Sequence, residues 1–154
     1  MILCYKNIAY LPIKNYAKAL KINILSKILM ETLESLKWLK DHNLYDLAYK
    51  TSVALKKVFT PCLAVKDEKV LIIGDIGYEN RNVAAVMSGA YYIAAEQLKL
   101  DAKLLLQSVK SRGDVSDDYV LHSLSDLKSG NIIILNMSDK LGNMQELGKS
   151  FRRW

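Results

Sequence analysis

The chain has 154 residues, of which 51% are hydrophobic and 25% charged, with only 7 glycines and 2 prolines. This composition excludes a disordered, collagen-like or low-complexity chain, and it supplies enough apolar residues for the core of one domain. The net charge of +6 is uneven: residues 1–66 hold 11 lysines against 4 acids, whereas residues 67–154 hold 11 basic and 12 acidic residues, which excludes a uniformly basic nucleic-acid binder.

Residues 1–29 form a distinct segment without a single Asp or Glu. Its lysines interrupt every apolar run, which argues against a signal peptide and against a transmembrane helix. Apolar residues recur at helical spacing and are compatible with a basic amphipathic surface helix: Ile13, Ala17, Leu20, Ile24 and Ile28. The other interpretation is that the natural start is Met30, because Ile, Lys, Asn and Tyr are favoured by A- and T-rich codons.

The N-terminal segment 1–29 is predicted to be dispensable for folding, because it has no core pattern beyond one helical face. A chain starting at Met30 should stay soluble and melt at a similar temperature in thermal denaturation. If cooperative unfolding were lost on removal of the segment, the segment would belong to the core.

Residues 30–66 are predicted to form a helical hairpin. In the first helix Leu33, Leu36 and Leu39 form an apolar stripe with Trp38 beside it. The second helix, roughly 44–58, has one apolar face made by Leu44, Leu47, Ala48, Thr51, Leu55 and Val58. Pro61 is expected to end this helix, because proline lacks the amide donor. We expect the lysines of the hairpin to be a solvated face.

Residues 67–154 alternate strands and helices. Apolar runs predict strands at 70–74, 102–108 and 130–136, and helices follow at about 82–98, 117–128 and 144–150. This order predicts an α/β fold with three layers, a short parallel sheet of at least three strands and right-handed crossovers. We therefore expect a Rossmann-like domain over 67–154, truncated at its C-terminal end. Ser88 and Gly89 predict that the first of these helices lies close to the sheet.

Ligands of an open parallel sheet bind beyond the carboxyl ends of its strands, which here lead into 74–82, 107–114 and 137–143. The candidate ligand-binding residues are Gly74, Asp75, Gly77, Asn80, Ser138, Asp139 and Gly142. Asn80 or Asn82 is expected near the start of a helix whose free amides favour an anion. The competing interpretation is a plain strand-to-helix turn, since neither GxGxxG nor GxxxxGK[ST] is present.

Two further kinds of chemistry can be examined on these loops. Asp75 and Asp139 could approach each other across neighbouring strand ends and bind a divalent cation. Ser138 lacks the GxSxG context of a serine hydrolase, so no catalytic residue is assigned. The terminal residues 149–154 mix cations with aromatics and are interpreted as a helix end rather than a phosphate or nucleic-acid site.

After a helical lead-in, the chain has a strand that ends in Asp75, an alanine-rich helix, and the segments SDKLGN and LGKSFR, in that order. These features lie in three runs: VLIIGDIGYENRNVAAVMSGAYYIAAEQLKLDAKLLLQ, DDYVLHSL and NIIILNMSDKLGNMQELGKSFRRW. Over residues 30–154 the chain resembles the amino-terminal domain of aminopeptidase-T-like metallopeptidases, in an archaeal or candidate-phylum branch. The resemblance implies that divalent metal ions belong to a carboxyl-terminal domain that is missing here. It assigns no catalytic residue, cofactor or metal ligand to this chain, which alone should not hydrolyse peptides.

Three functions follow as expectations. The first is a non-catalytic domain of a metalloaminopeptidase-like protein that shapes a substrate cleft or an oligomer contact. The second is a stand-alone small-ligand module that uses the Gly74–Asn82 loop. The third is a basic interaction protein that binds nucleic acid or a membrane surface through residues 1–57. We expect a cytoplasmic protein whose partner is a second copy or the missing domain, not nucleic acid or a membrane. A three-stranded sheet has two edges that invite pairing.

Overall fold

The computed structural model describes residues 30–148. Within this range the elements are α1 (30–41), α2 (Tyr45–Lys57), β1 (Val70–Asp75), α3 (Val83–Gln97), β2 (Ala102–Gln107), α4 (Asp118–Asp126) and β3 (Ile132–Asn136). The predicted α/β class with two N-terminal helices is confirmed. The expectations for residues 1–29, for the start at Met30 and for residues 149–154 concern chain outside the described residues. Of the predicted terminal helix, 144–150, the described part has a turn at 145–146 and helical residues at 147–148.

The three strands form one parallel sheet in the order β2-β1-β3. Val70 of β1 lies opposite Ala102 of β2 and Ile132 of β3. Every residue of β1 is buried. This burial explains why its sequence is an apolar run without alternation, as expected for a strand covered on both faces. The chain leaves β1 towards one side to form β2 and then crosses to the other side to form β3, so β1 lies at the point where the strand order reverses.

Helices cover both faces of the sheet, as the three-layer prediction requires. On one face Val70, Ile72 and Leu104 share a core with α3 and with Phe59. On the opposite face Leu71, Ile73 and Leu105 pack against Val120 and Leu124 of α4. Helix α2 packs on the outer side of α3, where Ala48 meets Val86, Ala90 and Ile93. Because α3 is enclosed by the sheet on one side and by helices on the other, ten of its fifteen residues are buried.

Ser88 and Gly89 of α3 face different layers of the fold. A Cβ atom on Gly74 of β1 would overlap the hydroxyl of Ser88, so this glycine permits the close approach of α3 to the sheet. Gly89 points the other way: a Cβ atom there would overlap Leu39 of α1 and lie 3.4 Å from Cβ of Ala48 in α2. The prediction that α3 lies close to the sheet is correct for Ser88, but Gly89 serves the contact with the helical hairpin.

Helix α1 covers the outer edge of β2 through hydroxyl groups. The Thr32 hydroxyl donates to the Leu104 carbonyl and accepts from the Leu104 amide, both at 3.3 Å. The Ser35 hydroxyl accepts from the Leu106 amide at 3.0 Å. The predicted leucine stripe is therefore wrong at Leu33, which is 54% exposed, while Thr32 and Ser35 are buried. A helix that packs on a strand edge must satisfy backbone groups, and leucine cannot do so.

Helix α2 differs from its prediction in its face and its end. Leu47 is 53% exposed, and the buried positions are Ala48 and Ser52. Pro61 does not end the helical conformation at residue 60. The α-helix ends at Lys57, and a π-helical turn that contains Pro61 follows directly over Val58–Cys62. The turn is closed by the Leu63 amide, which donates to the Val58 carbonyl at 2.9 Å. The wider turn places Phe59 in the core, edge-on to Tyr91.

Helix α4 and strand β3 are shorter than predicted. Helix α4 occupies Asp118–Asp126 instead of 117–128, and β3 begins at Ile132. Gly130 has a φ of +89° and lies in the turn before β3, three residues beyond Leu127, the C-cap of α4. No helix within residues 30–148 has both the length and the apolar character needed to cross a membrane.

Candidate functional site

The carboxylate of Asp75 joins two loops at the carboxyl edge of the sheet. Asp75 ends β1 and is fully buried. Its Oδ1 accepts hydrogen bonds from the Gly77 amide at 2.9 Å and from the Ser138 hydroxyl at 2.6 Å, and its Oδ2 accepts from the Ser138 amide at 2.6 Å. These three bonds connect the loop after β1 to the loop after β3. A buried carboxylate with this many donors holds backbone in place.

The loop between β1 and α3 is a tight turn. Gly77 has a φ of +76°, and a Cβ atom there would overlap the Arg81 carbonyl, so only glycine fits without strain. Tyr78 and Arg81 then exchange backbone bonds of 3.2 and 2.8 Å. Asn82 stands at the N-cap of α3, but its side chain donates to the Ile76 carbonyl at 2.8 Å instead. No side-chain hydrogen bond caps α3, so its first amides keep their donor capacity.

A cavity of about 420 Å³ lies beside this turn, between the start of α3 and the end of β3. Nine residues line it: Tyr78, Arg81, Val83, Ala84, Met87, Leu135, Asn136, Met137 and Ser138. We call this cavity the switch-point groove, because it lies beyond the carboxyl ends of β1 and β3, where the strand order reverses. The side-chain amide of Asn136, one of the lining residues, donates a hydrogen bond to the Ser88 hydroxyl at 3.1 Å, and this bond fixes the Asn136 side chain against α3.

Arg81 gives the switch-point groove its charge. It is the one ionised residue among the lining side chains. Its guanidinium lies 5.9 Å from the centroid of the Tyr78 ring, a cation–π distance that orients the group. Within residues 30–148 no carboxylate forms an ion pair with it. The guanidinium can therefore meet an anion that enters the groove.

The predicted site residues divide into two groups. Gly74, Asp75, Gly77 and Ser138 lie together, and Ser138 also lines the groove. The others lie elsewhere in the loops. Asn80 is exposed at the tip of the turn. Asp139 pairs with Lys140 at 2.8 Å. Gly142 has a φ of +98° and packs against Ser116.

The two carboxylates considered for a cation are occupied by other partners. Asp75 takes its three donors, and Asp139 takes the ammonium of Lys140. Across residues 30–148 there is no cluster of three or more His, Cys, Asp or Glu side chains that could hold a metal ion. The geometry of this edge thus assigns Asp75 to loop fixation.

A second polar network follows β2, and sequence reasoning missed it. The Gln107 side chain donates to the Leu141 carbonyl at 2.8 Å and accepts from the Asp117 amide at 3.2 Å. The Lys110 ammonium lies 2.6 Å from the Asp117 carboxylate. The Tyr119 hydroxyl donates to the Leu106 carbonyl at 2.7 Å. Burial raises the pKa of Tyr119, and the neighbouring Asp117 carboxylate raises that pKa further. The network fixes the loops after β2 and β3 to each other.

The groove residues Arg81, Met87 and Leu135 were also missed as a site. For Arg81 a signal existed, because it is the one basic residue in the segment 74–82. For Met87 and Leu135 there was none, since they belong to a helix and a strand that meet only once the strand order is known.

Comparison with known proteins gives no relative for this chain: no protein-family model, no curated protein and no solved structure matches it.

Proposed function

We propose that this chain is a non-catalytic α/β binding domain whose switch-point groove takes a small organic anion with an apolar portion. The observation that carries the proposal is the placement of Arg81 and the uncapped start of α3 at one groove beyond the carboxyl ends of β1 and β3. In open parallel sheets this is where ligands bind. The proposal takes up the earlier expectation of a small-ligand module at the Gly74–Asn82 loop.

The chemistry of the lining defines the class of ligand. Arg81 and the first amides of α3 favour a carboxylate or a phosphate, because both supply hydrogen-bond donors and positive potential. Tyr78, Met87 and Leu135 supply apolar surface on the same groove. A ligand that joins an anionic group to a ring or short chain would use both parts.

Binding is favoured over catalysis by the state of the polar groups. The Ser138 hydroxyl and amide both donate to Asp75, which is fully buried. Serine nucleophiles are most often activated by a neighbouring histidine, and none is among the nine residues that line the groove. Here Ser138 and Asp75 instead fix the wall of the groove, so that the lining is held in shape before a ligand arrives.

A second candidate is the non-catalytic domain of a larger metalloaminopeptidase-like protein that shapes a substrate cleft or an oligomer contact. The observation that favours it is the outer edge of β3, which is unpaired among residues 30–148. An open strand edge offers backbone groups to another chain or domain.

Phenyl phosphate is the probe for the groove, with inorganic phosphate as the probe for its anionic part alone. Phenyl phosphate should raise the melting temperature of the full chain, because a ligand that binds only the folded state stabilises it. Inorganic phosphate should bind more weakly. In titration calorimetry Arg81→Gln should weaken phenyl phosphate binding about tenfold, the loss of about 1.4 kcal/mol of binding free energy.

The matched control is Arg112→Gln, which removes the same charge from an exposed loop position outside the groove. Its affinity for phenyl phosphate should equal that of the unsubstituted chain. Equal losses in both variants would mean that net charge, not the groove, attracts the anion, and the proposal would fail. It would also fail if neither phosphate shifted the melting temperature.

A further inference from the structure

The two edges of the sheet are treated differently. The outer edge of β2 is covered by α1, whose Thr32 and Ser35 hydroxyls bond its backbone. On the other side, the Ile132 amide of β3 donates towards β1, to the Lys69 carbonyl at 2.9 Å. Because backbone groups alternate along a strand, those of Ile133 and Leu135 point outward. Within residues 30–148 no hydrogen bond reaches these outward groups.

The sequence of β3 lacks the features that protect an edge. Exposed edge strands usually carry a lysine, a proline or a bulge that discourages pairing. Strand β3 reads Ile-Ile-Ile-Leu-Asn, and its register with β1 is continuous. Leu135 is 49% exposed although it is apolar. The strand is therefore a competent template for a further strand.

We infer that β3 pairs antiparallel with β3 of a second copy of this chain, about a twofold axis, to form one continuous six-stranded sheet. The absence of charge on Ile132–Asn136 is the argument for a second copy, since a strand paired with itself places like groups near one another. Two copies of this uncharged strand can therefore pair without charge repulsion between them. The strand also has no charged side chain that would attract a partner strand of opposite charge.

The free backbone groups also select a register. The amide of Asn131 already donates to the Lys128 carbonyl at 3.4 Å, and its side chain accepts from the Lys69 amide at 2.8 Å. Asn131 is thus engaged within its own chain, which leaves Ile133 and Leu135 for pairing. The twofold axis then passes at Ile134, and Ile133 of each copy exchanges both hydrogen bonds with the partner's Leu135.

The pairing edge and the switch-point groove share one residue, Leu135. The groove lies at the carboxyl end of β3, so an antiparallel joint places the two grooves at opposite ends of the shared strands. The inference does not depend on the proposed ligand: Arg81→Gln, which removes the charge of the groove and not a residue of β3, should leave the dimer intact.

Sedimentation velocity on the full chain over a wide concentration series tests the dimer. We expect a monomer–dimer equilibrium that Leu135→Pro weakens at least about tenfold, because proline removes an outward amide that has no bond within the chain. Leu135→Lys, which places a charge on the same edge, should act in the same direction if the proline variant folds poorly. Val53→Lys is the matched control, an exposed apolar residue on α2, and should leave the equilibrium unchanged.

Disulfide trapping tests the register. In a chain carrying Cys4→Ser and Cys62→Ser, Ile134→Cys should form an interchain disulfide on mild oxidation, because residues opposite each other at a non-hydrogen-bonded position are close enough for one. Ile132→Cys should not, since Asn136 would lie opposite it. The inference is overturned if the chain is a monomer at every concentration. In such a monomer, slow hydrogen exchange of the Ile133 and Leu135 amides would show that another segment of the same chain covers the edge.

Discussion

Replacing Gly89 by leucine is expected to lower the free energy of unfolding by about 3 kcal/mol, the upper end of the usual overpacking cost. Gly89 is fully enclosed where α3 meets α1 and α2, and even a Cβ atom would overlap the side chain of Leu39. Leu39 is itself fully buried, and a leucine at position 89 is far larger than the Cβ atom that already overlaps it. The better helix propensity of leucine, about 1 kcal/mol over glycine, offsets only part of the strain. Urea denaturation gives the change as a lower midpoint.

Two further variants make the Gly89 result specific. Gly89→Ala adds only the Cβ atom, which meets the end of the Leu39 side chain, so its effect should be much smaller than that of leucine. Ala54→Leu inserts the same residue at an exposed position of α2 and should stay within about 0.5 kcal/mol of the original chain. An unchanged midpoint for Gly89→Leu would mean that α3 is not enclosed by the hairpin.

Replacing Asp75 by alanine is expected to lower the free energy of unfolding by about 3 kcal/mol, because hydrogen bonds to a charged group are each worth about 1.5–3 kcal/mol and their loss is not additive. The substitution leaves the Gly77 amide and both Ser138 donors without their acceptor. It also disconnects the loop after β1 from the loop after β3. The measurement is again the urea midpoint, with the slope checked for two-state behaviour.

Asp139→Ala is the control for Asp75→Ala, since Asp139 is exposed and its ion pair within the described residues 30–148 is with its neighbour Lys140. An exposed pair of this kind contributes about 0–1 kcal/mol. A double-mutant cycle with Ser138→Ala should show coupling between Ser138 and Asp75, because the hydroxyl bond is lost in either single variant. Additive effects, or a larger loss from Asp139→Ala, would contradict the role assigned to Asp75.

The fold class and the central strand could be predicted from the amino-acid sequence alone. The run Val70-Leu71-Ile72-Ile73 has no alternation, and a strand without alternation must be covered on both faces. Strands separated by helical segments then require a parallel sheet. The sequence also predicts that the segment Gly74–Asn82 lies at the carboxyl edge of the sheet, since this placement depends only on strand direction. Local pattern was sufficient for these features because each is encoded within a few consecutive residues.

Contacts between distant elements decided the rest. Thr32 and Ser35 are on the buried face of α1 because α1 packs against the edge of β2. The spacing of apolar residues in α1 gives no indication that the helix packs against a strand edge. The direction of Gly89 depends on where the hairpin docks. The groove exists because the order β2-β1-β3 brings the end of β3 to the start of α3, more than forty residues away in sequence. Strand order is set by the packing of helices on both faces of the sheet, and that packing is a property of the whole chain and not of any one segment.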